Sequence, residues 1–176
     1  MIVYFLRHAN AGERLSSPKK DEKRGLDKEG MEQCGYVGRA LAALDVQVDA
    51  IVSSPLKRAS QTAALVGNEM GHEGKLQIDP ALRPSASFAE FRKLLDKHSK
   101  SEAIMVVGHN PNLSEFLGRV ISANGCEAAT ELRKGAIARV DLRRASGSLQ
   151  WVMTPKILRT LYAAAAESSR PKTSRK

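Results

Sequence analysis

A short apolar run at the start of the chain constrains the fold more than any other feature. Residues 2–6 read Ile-Val-Tyr-Phe-Leu, and the run stops at Arg7-His8. An uninterrupted run of this kind is typical of a strand buried on both faces, as in a parallel sheet. Ligands of open α/β sheets bind beyond the carboxyl ends of the strands. We therefore expect Arg7 and His8 to lie at a binding crevice, the alternative being that they merely end a structural strand.

Two later apolar runs also end in polar signatures. Residues 49–52 lead into Ser53-Ser54-Pro55, and residues 103–107 lead into Gly108-His109-Asn110-Pro111. Each run is followed by apolar residues at helical spacing, so strand and helix alternate from the start of the chain to about Ile121. This alternation predicts an α/β fold with a mainly parallel central sheet.

The last third of the chain changes character. Residues 135–142 and 148–153 are strand-like and are joined by a short polar link with a glycine, which predicts a β-hairpin. We expect this antiparallel pair to close one edge of the sheet and residues 155–165 to form a final helix. No repeat or interdomain linker is visible, so we predict one domain over residues 1–165 and a basic, disordered tail over residues 166–176.

Three polar residues mark the starts of predicted helices. Asp27, Ser54 and Ser87 each stand before a helical pattern, where a side-chain oxygen can cap free backbone N–H groups. The charged segment of residues 11–25 is predicted to be a loop. The helix after Asp27 carries an apolar stripe that we expect to cover one face of the sheet. The stripe consists of Met31, Cys34, Val37, Leu41 and Leu44.

Composition excludes several classes of protein. At 176 residues and 42% hydrophobic content, the chain can bury a sizeable core. No apolar run approaches the ~20 residues of a membrane span, and the start lacks the pattern of a secretory signal. Cys34 and Cys126 are the only cysteines and have no metal-ligand spacing. We expect a cytoplasmic protein, a monomer, with no membrane partner and no metal or other cofactor.

The net charge of +9 favours anionic partners. Much of the excess lies between Lys19 and Arg24 and in the tail from Arg170 to Lys176. Aromatic residues make up only 5% of the chain and do not interleave with these basic runs, which argues against a stacking platform for single-stranded nucleic acid. Phosphorylated groups and acidic protein faces fit the charge better than nucleic acid does.

The carboxyl ends of parallel strands meet at one edge of a sheet. Arg7, His8, Arg58 and His109 all follow predicted strands closely, so we expect them to converge. Arginine offers paired donors to phosphate oxygens, and an imidazole can attack phosphorus to form a covalent intermediate. The four residues therefore suit the binding and transfer of a phosphoryl group.

Three motifs give the chain a family resemblance. They are Leu6-Arg7-His8, the string from Ser54 to Thr62 (Ser-Pro-Leu-Lys-Arg-Ala-Ser-Gln-Thr), and Gly108-His109-Asn110-Pro111. In this order, each after an apolar run, they resemble the histidine phosphatase superfamily, and the short chain resembles its SixA-type protein-histidine phosphatases. The resemblance spans Met1 to about Leu158 and implies a three-layer α/β/α fold like that of phosphoglycerate mutases.

The resemblance also implies roles for individual residues. His8 corresponds to the phosphorylated nucleophile, Arg7 and Arg58 to phosphate ligands, and His109 to the second histidine of the pocket. We add Asn10 and Arg24 to the expected phosphate-binding residues, the alternative for Arg24 being a solvated loop charge. We expect His8 to be neutral because the arginines disfavour its protonated form, and His109 to donate to a phosphoryl oxygen, as a cation once phosphate is bound.

The chain departs from the family pattern directly after His8. Ala9 stands where the family commonly has glycine, which would be strained if the backbone there required a positive φ. Asn10 replaces an acidic residue and cannot donate a proton as an acid does. No other general acid stands out, since Glu13 and Glu115 are expected on the surface. We therefore expect weak activity on alkyl phosphate esters.

Four functions fit these observations. The first is a metal-independent phosphatase acting on phosphohistidine in a protein, as in phosphorelay signalling, because no insertion for a small substrate is visible. The second is a small-molecule phosphomonoesterase with the same pocket. The third is a phosphoprotein-binding module without catalysis, since Ala9 and Asn10 could mark decay of the site. The fourth is nucleic-acid binding through the basic tail.

Overall fold

The computed structural model describes residues 1–122, 128–143 and 146–168. The strands are β1 (Ile2–Arg7), β2 (Ala50–Ser53), β3 (Gln77–Ile78), β4 (Ala103–Gly108), β5 (Ile137–Leu142) and β6 (Gly147–Met153). The helices are α1 (Pro18–Glu22), α2 (Lys28–Ala43), α3 (Lys57–Glu69), α4 (Phe88–Lys97), α5 (Asn112–Ile121) and α6 (Pro155–Ser168), and a 3₁₀ turn spans Pro80–Leu82.

The six strands form one sheet in the order β3-β2-β4-β1-β5-β6. Strands β3, β2, β4 and β1 run parallel to one another, and β5 pairs antiparallel with both β1 and β6. The predicted α/β fold with a mainly parallel sheet and a terminal hairpin is confirmed. The antiparallel strand β5 lies one strand inside the edge, which β6 forms.

Helices cover both faces of the sheet and create two cores. Val3 and Phe5 of β1 pack towards α4 and α5, whereas Tyr4 and Leu6 pack towards α2, α3 and α6. Successive side chains of a strand point to opposite faces, so an unbroken apolar run is what a strand between two helical layers requires. The three-layer arrangement holds β1 rigidly at the centre of the molecule, with Arg7 at its carboxyl end.

Two of the three predicted caps are confirmed and the third is wrong. The Asp27 carboxylate accepts from the backbone N–H of Gly30, and Ser87 forms a reciprocal capping box with Glu90. Ser54 does not cap α3, which begins at Lys57. The backbone N–H of Ser54 still donates to Val107 of the neighbouring strand, so this residue extends the sheet.

Sequence reasoning also misplaced parts of the helices. Cys34, Val37 and Leu41 are buried as predicted, but Met31 and Leu44 are 52% and 56% exposed because they lie at the rims of the apolar stripe. The short helix α1 interrupts the segment predicted to be a loop; its charged sequence has no apolar period that would have revealed it.

Three further predictions concern parts of the chain that the structure describes only partly. Cys34 is a free, buried thiol whose pKa burial raises to about 12, while Cys126 lies outside the described residues. Helix α6 continues to Ser168, and the rest of the predicted tail lies outside them too. None of the helices in the described ranges is long and apolar enough to cross a membrane.

Candidate active site

The carboxyl ends of the parallel strands bring together side chains that are far apart in sequence. Arg7 is the last residue of β1 and His8 follows it, Arg58 lies in the first turn of α3 after β2, and His109 follows β4. These four residues and Arg24 line one cavity of about 620 Å³. Five of the six residues singled out in the sequence therefore share a cavity, and only Asn10 does not.

His8 is held in one tautomer by its own neighbour. Its ring is buried, 8% exposed, and Nδ1 lies 2.8 Å from the carbonyl oxygen of Ala9. A carbonyl oxygen only accepts, so Nδ1 carries the proton and Nε2 of the neutral ring keeps a free lone pair. The hydrogen bond fixes which nitrogen of His8 is available for attack.

The environment of His8 keeps the ring neutral. The pKa of His8 is lowered from 6.5 to about 4, chiefly by burial and also by the positive charges of Arg58, Arg7 and Arg24, while the bond to Ala9 opposes the shift. The arginines act in the predicted direction, but burial is the larger cause. At neutral pH the ring is therefore unprotonated at Nε2.

The alanine after His8 fits without strain. Ala9 is fully buried, and its backbone N–H donates to Thr62 Oγ1 at 3.1 Å. Among the non-glycine residues that the structure describes, only Asp45 has a positive φ. The backbone at position 9 thus makes no demand that only glycine could meet.

Each of the two arginines at the strand ends has one buried donor without a hydrogen-bond partner in the described parts of the chain. Arg7 Nη1 donates to the carbonyl of Leu132 at 2.8 Å, and Arg58 Nη1 donates to the carbonyl of Asp21 at 2.9 Å. The Nε atom of each is buried and has no hydrogen-bond partner within the described parts of the chain. A buried N–H without a partner is costly, and the oxygens of a bound anion would satisfy it.

His109 faces His8 across the cavity. The two ring centroids lie 5.0 Å apart, and His109 Nε2 lies 2.8 Å from Ser54 Oγ. The pKa of His109 is lowered to about 2, chiefly by burial and also by His8 and the two arginines, so the ring is neutral in this structure. If the Ser54 hydroxyl donates to Nε2, the ring proton sits on Nδ1, which is buried and lacks a partner in the described chain.

Asp21, which sequence reasoning missed, organises the cationic side of the site. Its carboxylate accepts from Arg24 Nε at 2.8 Å, from the backbone N–H of Leu15 at 2.9 Å and from Arg58 Nη1 at 3.3 Å. The hydrogen bond from Arg24 is the largest cause that lowers the pKa of Asp21 to about 2. The spacing of Asp21 and Arg24, three residues apart, is the sequence signal that could have revealed this pair.

Arg24 is partly committed to the loop that carries it. Besides its ion pair with Asp21, its Nη1 donates to the carbonyls of Ala11 and Gly12 at 2.5 and 3.2 Å. Arg24 lines the cavity, and it also donates to the segment between β1 and α1. Its side chain is only 15% exposed, so it borders the cavity as one alternative predicted and is not a solvated loop charge.

The structure does not place Asn10 at the phosphate site; it is turned away from the cavity. Its Nδ2 donates to Glu29 Oε2 at 2.7 Å and its Oδ1 accepts from Lys134 Nζ at 2.6 Å. A Cβ atom at Gly30 would overlap the carbonyl oxygen of Asn10, so glycine at position 30 lets α2 approach this segment. An amide suits position 10 because it donates to a carboxylate and accepts from an ammonium group at once.

The two carboxylates that line the cavity, Asp21 and Glu22, are each held by an arginine side chain. Asp21 is ionised at any physiological pH, and Glu22 forms an ion pair with Arg83 at 2.9 Å. Glu13 and Glu115 are exposed, as predicted. Within the described ranges, no three histidine, cysteine or acidic side chains cluster in a way that could hold a metal ion.

Comparisons with known proteins agree with this geometry. The model of the histidine phosphatase superfamily (branch 1) matches residues 3–87. An uncharacterized protein of Picosynechococcus sp. is 32% identical over 119 residues, which are 66% of this chain and 70% of that protein. Phosphohistidine phosphatase SixA of Escherichia coli (strain K12) is 23% identical over 158 residues, which are 88% of this chain and 94% of that protein.

A solved structure shares the whole fold. The protein histidine phosphatase SixA, complexed with tungstate, superposes with a TM-score of 0.80 and 24% identity. The match covers 90% of this chain and 99% of that one. The order of strands and the two helical layers described above are therefore an architecture that a known phosphatase also adopts.

Proposed function

The chain belongs to the histidine phosphatase superfamily, and from that premise we propose that it is a phosphohistidine phosphatase that acts on phosphorylated histidine in a protein, as in phosphorelay signalling. The attacking atom is Nε2 of His8. The observation that carries the proposal is the bond from Nδ1 to the Ala9 carbonyl, which leaves the Nε2 lone pair free in a ring that is neutral at physiological pH.

The reaction proceeds in two displacements. The Nε2 lone pair of His8 attacks phosphorus, a P–N bond to His8 forms, and the P–N bond to the substrate imidazole breaks while that imidazole takes a proton from water. A second water molecule then attacks the phosphoryl group on His8. The P–N bond to His8 breaks, inorganic phosphate leaves, the proton of the attacking water passes to solvent, and the neutral ring is restored.

Four groups stabilise the charge that is transferred. The free Nε–H donors of Arg7 and Arg58 are buried beside His8 and suit the equatorial oxygens of the phosphoryl group. His109 donates through Nδ1 of its neutral ring, since burial is the main cause that lowers its pKa and a bound dianion offsets only the arginine charges. Arg24 adds positive charge from the loop side of the cavity.

The missing acid favours a phosphoramidate over an ester. Expelling an alkoxide needs protonation, and the Asp21 carboxyl group in the cavity is ionised at neutral pH because its pKa is lowered to about 2. The P–N bond of phosphohistidine is labile, and its imidazole is a much better leaving group. The ionised state of Asp21 in the cavity therefore supports a phosphoramidate as the substrate class.

A small-molecule phosphomonoesterase is the second candidate, and the size of the cavity favours it. A volume of about 620 Å³ lies within the roughly 300–1,000 Å³ of sites for small ligands and exceeds the need of a phosphoryl group alone. This candidate predicts efficient turnover of some phosphate monoester with a poor leaving group.

One assay separates the functions. Phosphate release from a histidine-phosphorylated domain is compared with release from an aryl phosphate, with and without a chelator. We expect faster turnover of the phosphohistidine domain and no effect of the chelator. Binding without turnover would instead indicate a phosphoprotein-binding module, and faster turnover of a monoester would favour the second candidate.

Trapping the intermediate tests the nucleophile. The protein is quenched in acid-free denaturant after mixing with ³²P-phosphohistidine substrate, and the label is mapped. We expect label on His8, and none in His8→Ala, which should keep its fold by circular dichroism. Label on another residue, or an active preparation without label, would overturn the assignment.

A further inference from the structure

A second cleft joins the phosphoryl-binding cavity. It has a volume of about 700 Å³, and Arg7 and Lys134 line both spaces, so the two spaces lie side by side on the protein surface. The walls come from α2, from the segment that precedes β5, and from the start of α6. A phosphoryl group on His8 therefore has a continuation of comparable size on the Lys134 side.

The floor between the two spaces is fixed by a hydrogen-bond network. Asn10 bridges Glu29 and Lys134, its backbone N–H donates to Gln33 Oε1 at 2.9 Å, and Gln33 Nε2 donates to Glu29 Oε1 at 3.0 Å. The network satisfies both the Glu29 carboxylate and the Lys134 ammonium group. It explains why an amide stands at position 10, and it holds Glu29 and Lys134 in place while both keep their charge.

The charge that remains in the cleft is mainly positive. Arg133, Lys156 and Arg159 are exposed on its walls and form no ion pair with any residue in the described ranges. The acidic side chains of the cleft are Glu29, Glu32 and Glu131, which the five cations that line it outnumber. Lys156 and Arg159 lie near one end of α6, so the cleft leads from the phosphoryl site towards free cations.

We propose that this second cleft binds an acidic polypeptide segment next to the phosphohistidine of the substrate protein. The inference rests on the proposed function and names what selects the substrate. Its support is the continuity with the cavity through Arg7 and Lys134 and the unpaired cations of α6 and Arg133. A free phosphorylated metabolite would fill only the first cavity, whereas a chain has residues to place in the second.

Synthetic peptides with a single phosphohistidine provide the test. One is flanked on both sides by glutamates, one by lysines and one by serines, and free N-phosphohistidine is the minimal substrate. We expect the wild-type protein to show the highest kcat/KM with the glutamate peptide, mainly through a lower KM. The difference should shrink at high salt, because exposed charge pairs are screened.

The matched variants locate the effect. The double variant Lys156→Glu with Arg159→Glu should lower kcat/KM for the glutamate peptide by about tenfold, because exposed ion pairs with the peptide are replaced by repulsion. The kcat/KM for free N-phosphohistidine should not change. Lys75→Glu with Lys100→Glu changes the net charge equally at exposed residues outside both spaces. This control should keep the preference.

The outcomes separate this inference from the proposed function. Equal turnover of the three peptides would overturn the inference, and so would an equal loss of kcat/KM for the glutamate peptide in the control variant. In either case, turnover of free N-phosphohistidine would still support the proposed function. Turnover of none of the phosphohistidine substrates by the wild-type protein would overturn the function itself.

Discussion

At the level of single residues, the site depends on two buried groups whose pKa values are both lowered, for different reasons. His8 is neutral because burial outweighs its bond to Ala9, and Asp21 is ionised because Arg24, Leu15 and Arg58 all donate to it. The sequence indicated His8 through Arg7-His8 at the end of an apolar run. It gave no comparable signal for Asp21, whose contact with Arg58 spans 37 positions.

The buried neutral ring of His8 links stability to pH. Its pKa is about 4 in the folded protein and 6.5 in the unfolded chain, so the unfolded state binds more protons between these values. The contribution of the neutral His8 ring to the free energy of unfolding is fully present above pH 6.5 and is lost as the pH falls towards 4. Compared with His8→Gln, the wild-type protein should lose about 2 kcal/mol more unfolding free energy between pH 7.5 and pH 5.

Urea denaturation of the two proteins at both pH values measures this difference. The other titrating groups cancel in the comparison because both proteins share them. An equal loss in wild type and His8→Gln would show that the His8 ring is not held neutral by the fold. The activity profile should agree, with kcat/KM independent of the His8 charge above about pH 5.5.

Removing the charge of Asp21 should damage both stability and catalysis. Asp21→Asn leaves Arg58 and Arg24 without their carboxylate, and loss of one partner from a buried pair costs roughly 3–5 kcal/mol. We expect kcat/KM to fall by about tenfold, because Arg58 keeps its hydrogen bond to the Asp21 carbonyl but loses the carboxylate that helps to orient it. Glu22→Gln, next along α1, removes an exposed pair with Arg83 and should change stability by less than about 1 kcal/mol. Similar losses in the two variants would contradict this role for Asp21.

At the level of elements, sequence patterns predicted what local chemistry determines. The strands follow from apolar runs, and the caps at Asp27 and Ser87 from a polar residue ahead of a periodic segment. The start of α3 was misplaced because Ser54 is bound by a distant strand through Val107. Helix α1 was missed because tertiary contacts of Asp21, not an apolar face, hold it in place.

The two serines offer a test of that distinction. Ser87→Ala removes a capping box and should cost about 1 kcal/mol of unfolding free energy with no change in kcat. Ser54→Ala does not uncap α3 but deprives His109 Nε2 of its partner, so kcat should fall by about tenfold. Thermal unfolding and steady-state kinetics of both variants decide the matter. A loss of activity in Ser87→Ala, or none in Ser54→Ala, would reverse the assignment.

At the level of the whole molecule, the site is a property of sheet topology. Parallel strands place Arg7, His8, Arg58 and His109 at one edge although the first and last are about a hundred positions apart, and this convergence could be predicted from the order of the elements. The bridge from Lys134 to Asn10 could not, since it joins positions 124 apart and neither residue follows a periodic pattern. The sequence thus predicted which residues meet but not which of their neighbours complete the site.

The missing acid has a consequence for the whole catalytic cycle that kinetics can measure. Because Asp21 in the cavity is ionised at neutral pH, we expect the leaving group itself to carry the developing charge. Across a series of alkyl, phenyl and nitrophenyl phosphates, kcat/KM should therefore rise steeply as the leaving group becomes more acidic, whereas phosphohistidine should be cleaved efficiently throughout. His8→Ala should abolish turnover along the series, which controls for contaminating phosphatases. A flat series, or an alkyl phosphate cleaved as fast as phosphohistidine, would mean that a proton donor operates in this site after all.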